Sequence, residues 1–138
     1  MNHQISEAHH EPIETAVTAI LSENSAATGF PYKPDPVKLK IVESGTIMAG
    51  LVGFTCWDWL YIETLAVDAD YRGQGLGRRL VLEAERIARE RNCHAAWVDT
   101  FSFQAPEFYT RLGYTSFGTL PDFPAGQQRV FFRKSLTE

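Results

Sequence analysis

Three glycines on alternate positions, Gly73, Gly75 and Gly77, stand among three arginines, Arg72, Arg78 and Arg79. An apolar run rich in strand formers precedes them and ends in Leu65, Ala66 and Val67. From Leu76 onward apolar residues recur at helical spacing, as Leu76, Leu80, Val81, Ala84, Ile87 and Ala88. The pattern predicts a strand, a glycine-rich turn and a helix. Such a turn bares backbone N–H groups at a helix start, where the partial positive charge of the aligned peptides collects. With full arginine charges beside it, the turn is a seat for a phosphate or pyrophosphate. Spacing excludes two other glycine loops. A P-loop ends in Gly-Lys-Ser/Thr, but Gly77 is followed by Arg78 and Arg79, and a dinucleotide fingerprint needs a third glycine where Arg78 stands.

The elements that must position this turn fit one domain. At 138 residues, 44% apolar and 22% charged, the chain is long enough to bury a real core. A net charge of −4 argues against a nucleic-acid partner except through a local basic patch. Cys56 and Cys93 show no metal-ligand spacing and suit a reducing cytosol, so a cytoplasmic protein without metal is expected. No apolar run approaches the roughly 20 residues of a membrane span, and residues 1–10 are polar, frayed and unlike a signal peptide.

Along the chain, Pro12 in a first helical turn and Ile13, Ala16, Val17, Ile20 and Leu21 predict an amphipathic helix ending by Gly29. Residues 29–36 hold three prolines and read as an irregular connector. Strands follow over 37–43, 46–57 and 60–67, with Gly50 and Gly53 marking a bulge or a close backbone approach. The helix after the glycine turn runs to Asn92, with Arg78, Arg79, Glu83, Glu85, Arg86, Arg89, Glu90 and Arg91 expected on a solvated face. A strand over 94–100, a short helix over 105–112 and strands over 114–120 and 128–134 complete the chain. The order is α, β, β, β, α, β, α, β, β. The expected fold is α/β, or α+β in the stricter sense. Its mixed, mostly antiparallel sheet contains a central parallel β-α-β crossover, with helices on both faces.

A second stretch gives the turn a family context. Ala105, Phe108, Tyr109, Leu112, Gly113 and Tyr114 follow the glycine turn in order. Together with Arg72, Gly75 and Gly77 after a Leu-Ala-Val strand end, they resemble the GNAT superfamily of N-acetyltransferases, in a small bacterial-type branch. The likeness covers Trp57 to about Lys134. Residues 1–36 form a divergent N-terminal helix and Pro-rich connector of a single domain.

The resemblance implies an enzyme that moves the acetyl group of acetyl-CoA to a primary amine, by direct transfer in a ternary complex. The acceptor is a small amine, a polyamine, an aminoglycoside-like drug or a protein N-terminus or lysine, and the acidic balance of the chain favours a small cationic amine. The resemblance also suggests a homodimer. The rival is a non-catalytic acyl-CoA-binding or sensing domain, which would keep the turn but need neither Glu63 nor Tyr109. Cofactor contacts are expected from Leu65, Ala66, Val67, Arg72, Gly73, Gln74, Gly75, Leu76, Gly77, Arg78, Ser102, Phe108 and Tyr109. Ser102 reads equally as a helix N-cap. Acetyl transfer requires a deprotonated amine, a stabilised oxyanion and a protonated leaving thiolate. The implied roles are the backbone N–H of Leu65 for the oxyanion, Tyr109 as acid and Glu63 as base, with Asp58, Asp99 and His94 as substitutes for Glu63. Glu63 stands two residues before Leu65, which places both on one strand face. Trp57, Asp58, Trp59 and Tyr61 form either a cation-binding wall for the amine or ordinary core.

Overall fold

The computed structural model describes residues 3–137, so residues 1 and 2 of the expected polar terminus lie outside the described residues. The chain runs α1 (Glu14–Ala27), β1 (Asp35–Glu43), β2 (Thr46–Cys56), β3 (Trp59–Val67), α2 (Leu76–Glu90), β4 (Ala95–Phe101), α3 (Pro106–Arg111), β5 (Thr115–Pro121) and β6 (Gln128–Ser135). That is the expected order. Residues up to Lys33 form one compact unit and those from Pro34 onward a second.

In the first unit, α1 is capped by Ile13, so Pro12 stands just outside the helix instead of within its first turn. None of the α1 residues is buried, and Val17, Ile20 and Leu21 are all exposed. Its end is closed by two bonds, from Phe30 N–H to the Ser25 carbonyl and from Gly29 N–H to the Ala26 carbonyl.

The second unit is a six-stranded sheet in the order β1-β2-β3-β4-β6-β5. Every pairing is antiparallel except β3 with β4, which α2 connects as a β-α-β crossover. Strand alternation turns Leu51, Leu60, Ile62, Ala96, Val98 and Phe132 to one face, where they bury Leu80, Val81, Ala84 and Ala88 of α2. Tyr109 of α3 joins the same core, so both helices of this unit cover one face, and the helix expected on the other is not among them. Pro36, expected in the irregular connector, belongs to β1. An edge strand tolerates a residue without an N–H, and Arg91 binds the carbonyls of Asp35 and Pro36 there. Among the described residues no helix is long and apolar enough to cross a membrane.

Two irregularities of β3 shape the site. Val52 pairs with Thr64 but Gly53 pairs with Ile62, which leaves Glu63 as the extra residue of a bulge. Gly53 is required there, because an added Cβ would overlap the Tyr61 carbonyl oxygen. Pairing of β3 with β4 covers only Trp59–Ile62 against Ala95–Val98. Beyond that the strands part, although β3 runs on to Val67 and β4 to Phe101.

Glu85 corrects the expectation of a wholly solvated charged face on α2. It is 0% exposed and accepts hydrogen bonds from Tyr114 Oη at 2.8 Å and Lys134 Nζ at 2.9 Å. Arg89 donates to the Leu136 carbonyl and Arg91 to Thr55, so neither stands simply in water. Arg86, which pairs with Glu83 and Glu90, does lie on the exposed side. Burial and then the Glu85 carboxylate raise the Tyr114 hydroxyl well above the ordinary phenol range. A hydrogen bond to a buried charge contributes on the order of 2 kcal/mol. Tyr114→Phe is therefore expected to destabilise the fold by about that amount, read from the urea midpoint, with acetyl-donor binding retained.

Candidate active site

The glycine turn takes the form its spacing predicts, with a division of labour among its members. After β3, a short 3-10 turn over Ala69–Tyr71 is held by Asp68, whose carboxylate accepts from Asp70 N–H at 2.9 Å. Gly75 then caps α2 at φ +77°, a left-handed conformation that side chains disfavour. Around a Cβ built at Gly75 there is nothing within 4 Å, so a side chain would enter the open cleft that the residue lines. The first helical bond of α2 is Arg79 N–H to the Gly75 carbonyl, and the N–H groups of Leu76, Gly77 and Arg78 have no acceptor within the helix. Gly77 serves packing: a Cβ there would come to 3.2 Å from the Phe108 ring.

A cleft of about 850 Å³ runs from this turn along the unpaired part of β3 to α3. It brings together Leu65, Ala66, Val67, Arg72, Gly73, Gly75, Leu76, Gly77, Arg78, Phe108 and Tyr109 from the expected set. Gln74 is not among its walls. Thr100, Phe103, Gln104, Ala105 and others line it in addition; Ala105 opens the second motif, and nearness to that motif is the one signal the sequence holds for Gln104.

Tyr109 owes its seat to the Leu-Gly-Tyr sequence that ends α3. Gly113, at φ +94°, lets Tyr114 N–H reach the Tyr109 carbonyl and its own N–H reach that of Thr110. This helix ending places the residue after the glycine against the third residue from the helix end. Here those two are Tyr114 and Tyr109, whose rings meet edge-on at 5.8 Å. Burial, with a contribution from Asp99, pushes the Tyr109 hydroxyl up to about 12.

Other expected residues are placed elsewhere. Ser102 neither lines the cleft nor caps α3, whose N-cap is Ala105. It donates to Gln127 Oε1 at 2.7 Å and accepts from Gln128 N–H at 2.9 Å, tying the loop after β4 to the loop before β6. Trp57 and Asp58 occupy the β2–β3 turn at φ +49° and +66°. Trp59 rests edge-on against His94. Trp59 opens β3, about 20 Å from Leu65 at the rise of a strand, and Trp57 and Asp58 precede it, so these three do not assemble beside Leu65. Only Tyr61 of that group faces the parting of the strands. Its hydroxyl lies 3.4 Å from Asp99 Oδ2, and burial, Asp99 and Glu63 raise it above the ordinary phenol range. Asp99 is held by Arg129 at 2.8 Å, which takes it out of the field as a free base. The bulge interrupts strict alternation at Glu63, so its spacing from Leu65 does not put the two on one face.

Among the described residues no cluster of three or more His, Cys, Asp or Glu could hold a metal ion. A bare amide nest with arginines, a β-α-β crossover and a strand edge opened beside a buried tyrosine define an acyl-transferase of the acetyltransferase class. The chain belongs to the acetyltransferase (GNAT) family, whose pattern it matches over residues 6–114. The match takes in the N-terminal helix, which the two motifs alone do not cover.

Among relatives, the chain is 48% identical over 85 residues to blasticidin-S acetyltransferase of Streptomyces morookaense, spanning 61% of this chain and 62% of that one. It is 32% identical to an acetyltransferase of Bacillus cereus, with a TM-score of 0.84 over 96% of this chain and 97% of the other. A protein of Bacillus anthracis assigned as a streptothricin acetyltransferase, solved in complex with acetyl coenzyme A, shares the fold. Its TM-score is 0.66 at 22% identity, over 78% of this chain and 66% of that one.

Membership makes acetyl-CoA the acetyl donor. The cleft fits it on its own evidence, since the cradle at Gly73 and Gly75 is open where a Cβ would project and Arg72 and Arg78 line the same walls.

Proposed function

We propose that this chain acetylates a primary amine of a small molecule by direct transfer in a ternary complex. The observation that carries the reading is the parting of β3 from β4 after Ile62 and Val98, beside a cleft that has the amide nest at one end and Tyr109 in its wall. Acetyl-CoA supplies an acetyl group activated as a thioester. Arg72, Arg78 and the amides from Gly75 onward would hold its diphosphate. The backbone of Leu65, Ala66 and Val67, unpaired on the β4 side, would bind its arm as an added strand does. The Leu65 N–H is the donor for the oxyanion. Tyr109 keeps its proton to about pH 12 and is available to protonate the leaving thiolate.

Glu63 takes up the amine's proton, directly or through water. It is exposed at the bulge where the strands part and makes no hydrogen bond or ion pair among the described residues. Cys56 and Cys93 are absent from the cleft walls, which supports direct transfer over an acyl-enzyme. Likeness to a blasticidin-S acetyltransferase, whose acceptor is a small molecule, supports a small molecule as acceptor here.

The test is a panel of primary amines with acetyl-CoA, reading release of free thiol. Turnover with a small amine is expected, and thiol release with none of them, while CoA binds, would overturn the reading. Glu63→Gln is expected to lower kcat/KM about 30-fold at neutral pH and to recover as pH approaches the amine's own pKa of roughly 10. A variant that stays equally impaired across that range would move the base elsewhere.

A further inference from the structure

On the face of the sheet away from α2, Phe54, Tyr61 and Trp97 form a row across three strands. Phe54 pairs with Tyr61 and Tyr61 with Trp97 in the strand register. The Tyr61 and Trp97 rings stack at 4.1 Å and 17°, and Phe54 meets Tyr61 edge-on at 5.5 Å. None of the three belongs to the buried core. The row crosses β3 and β4 one rung before their pairing ends, so it borders the place where the two strands part.

The charges there are unequal. Asp99, with 10% of its side chain exposed, is neutralised by Arg129 through contacts of 2.8 and 2.9 Å. Glu63 at the bulge has no such cation. Arg133, opposite Trp97 in the β4–β6 register, lays its guanidinium over the Phe117 ring at 5.7 Å, so the end of the row that attracts a cation is the Tyr61 end, beside the Glu63 carboxylate.

We infer that this row is the acceptor's seat and selects amines that carry a flat unsaturated ring, held against Tyr61 and Trp97 with the ammonium group toward Glu63. The inference rests on the amine-acetylating reading above and adds the substrate class. Apolar burial alone would favour a saturated ring at least as much as a flat one, whereas ring–ring geometry adds to burial for the flat one only. The discriminating pair is therefore 3-phenylpropylamine and 3-cyclohexylpropylamine, whose rings stand too far from nitrogen to alter its basicity much.

Thiol release should give kcat/KM about five-fold higher for the phenyl compound. Trp97→Leu should bring that ratio to about one, and Trp97→Phe should keep most of it. Acetyl-CoA affinity should be unchanged in both variants, since Trp97 does not line the donor cleft; that measurement also shows that they are folded. A ratio of one in the unaltered protein, or a preference that survives Trp97→Leu, overturns the inference while leaving amine acetylation standing. Thiol release with neither compound nor any simple alkylamine, in protein that binds CoA, overturns both.

Discussion

Gly75→Asp is expected to leave a folded protein whose affinity for coenzyme A has fallen about 300-fold or more, an effect of roughly 3.4 kcal/mol. Two terms add. Gly75 caps α2 at φ +77°, a conformation the free turn relaxes from once the residue has a Cβ, so that binding must restore it at a cost of roughly 1 kcal/mol. The remainder is electrostatic: the new side chain has nothing within 4 Å to turn it aside, so its carboxylate enters the space offered to a diphosphate. Gly75→Ala separates the terms, because it keeps the strain and omits the charge. It should weaken binding only several-fold, and calorimetry on both variants measures the difference. Equal, mild losses would show that the diphosphate does not rest on this turn.

Tyr109→Phe carries the second large effect, a fall in turnover of about 100-fold with CoA affinity within about three-fold of the parent. The side chain is 6% exposed and its ring is fixed by Phe108, Tyr114 and Phe132, all of which phenylalanine at 109 would still meet. What disappears is the hydroxyl and its proton. The sign of the pH dependence follows from burial. The phenol's pKa is pushed up to about 12, so the proton-donating form persists throughout the working range and is lost only as pH rises through that value. The unaltered protein should show no alkaline decline in turnover from this group below roughly pH 11. Turnover unchanged in the variant would remove the acid role.

The sequence made the donor side legible because its signals are local. Three glycines, the arginines and the shift from strand to helical spacing all lie between Leu65 and Leu80, and backbone conformation answers to neighbours at that range. The ending of α3 was legible for the same reason. Misplaced residues are those whose surroundings come from far along the chain. Glu85 reads as one more charge on a charged helix, and only its meeting with Tyr114 and Lys134 from later strands makes its burial affordable. Ser102 reads as a cofactor contact or a cap because its partners, Gln127 and Gln128, are about 25 positions away. The four residues of the aromatic wall are dispersed, since Trp57 and Asp58 turn a corner before β3 begins while Tyr61 stands where the strands part. Trp97 and Asp99 meet Tyr61 only because β4 lies beside β3, a pairing that strand spacing alone does not align residue by residue.

The brevity of the β3–β4 pairing has a mechanical corollary. Four rungs join two three-stranded plates, β1-β2-β3 and β4-β6-β5. Helix α2, with the phosphate turn at its head, rides mainly on the first plate, and α3, with Tyr109, belongs to the second. So short a seam resists twisting poorly. Glu85, reaching from α2 to Tyr114 and Lys134, acts as a splint across it, and ties the helix that carries the glycine turn to the plate that carries Tyr109.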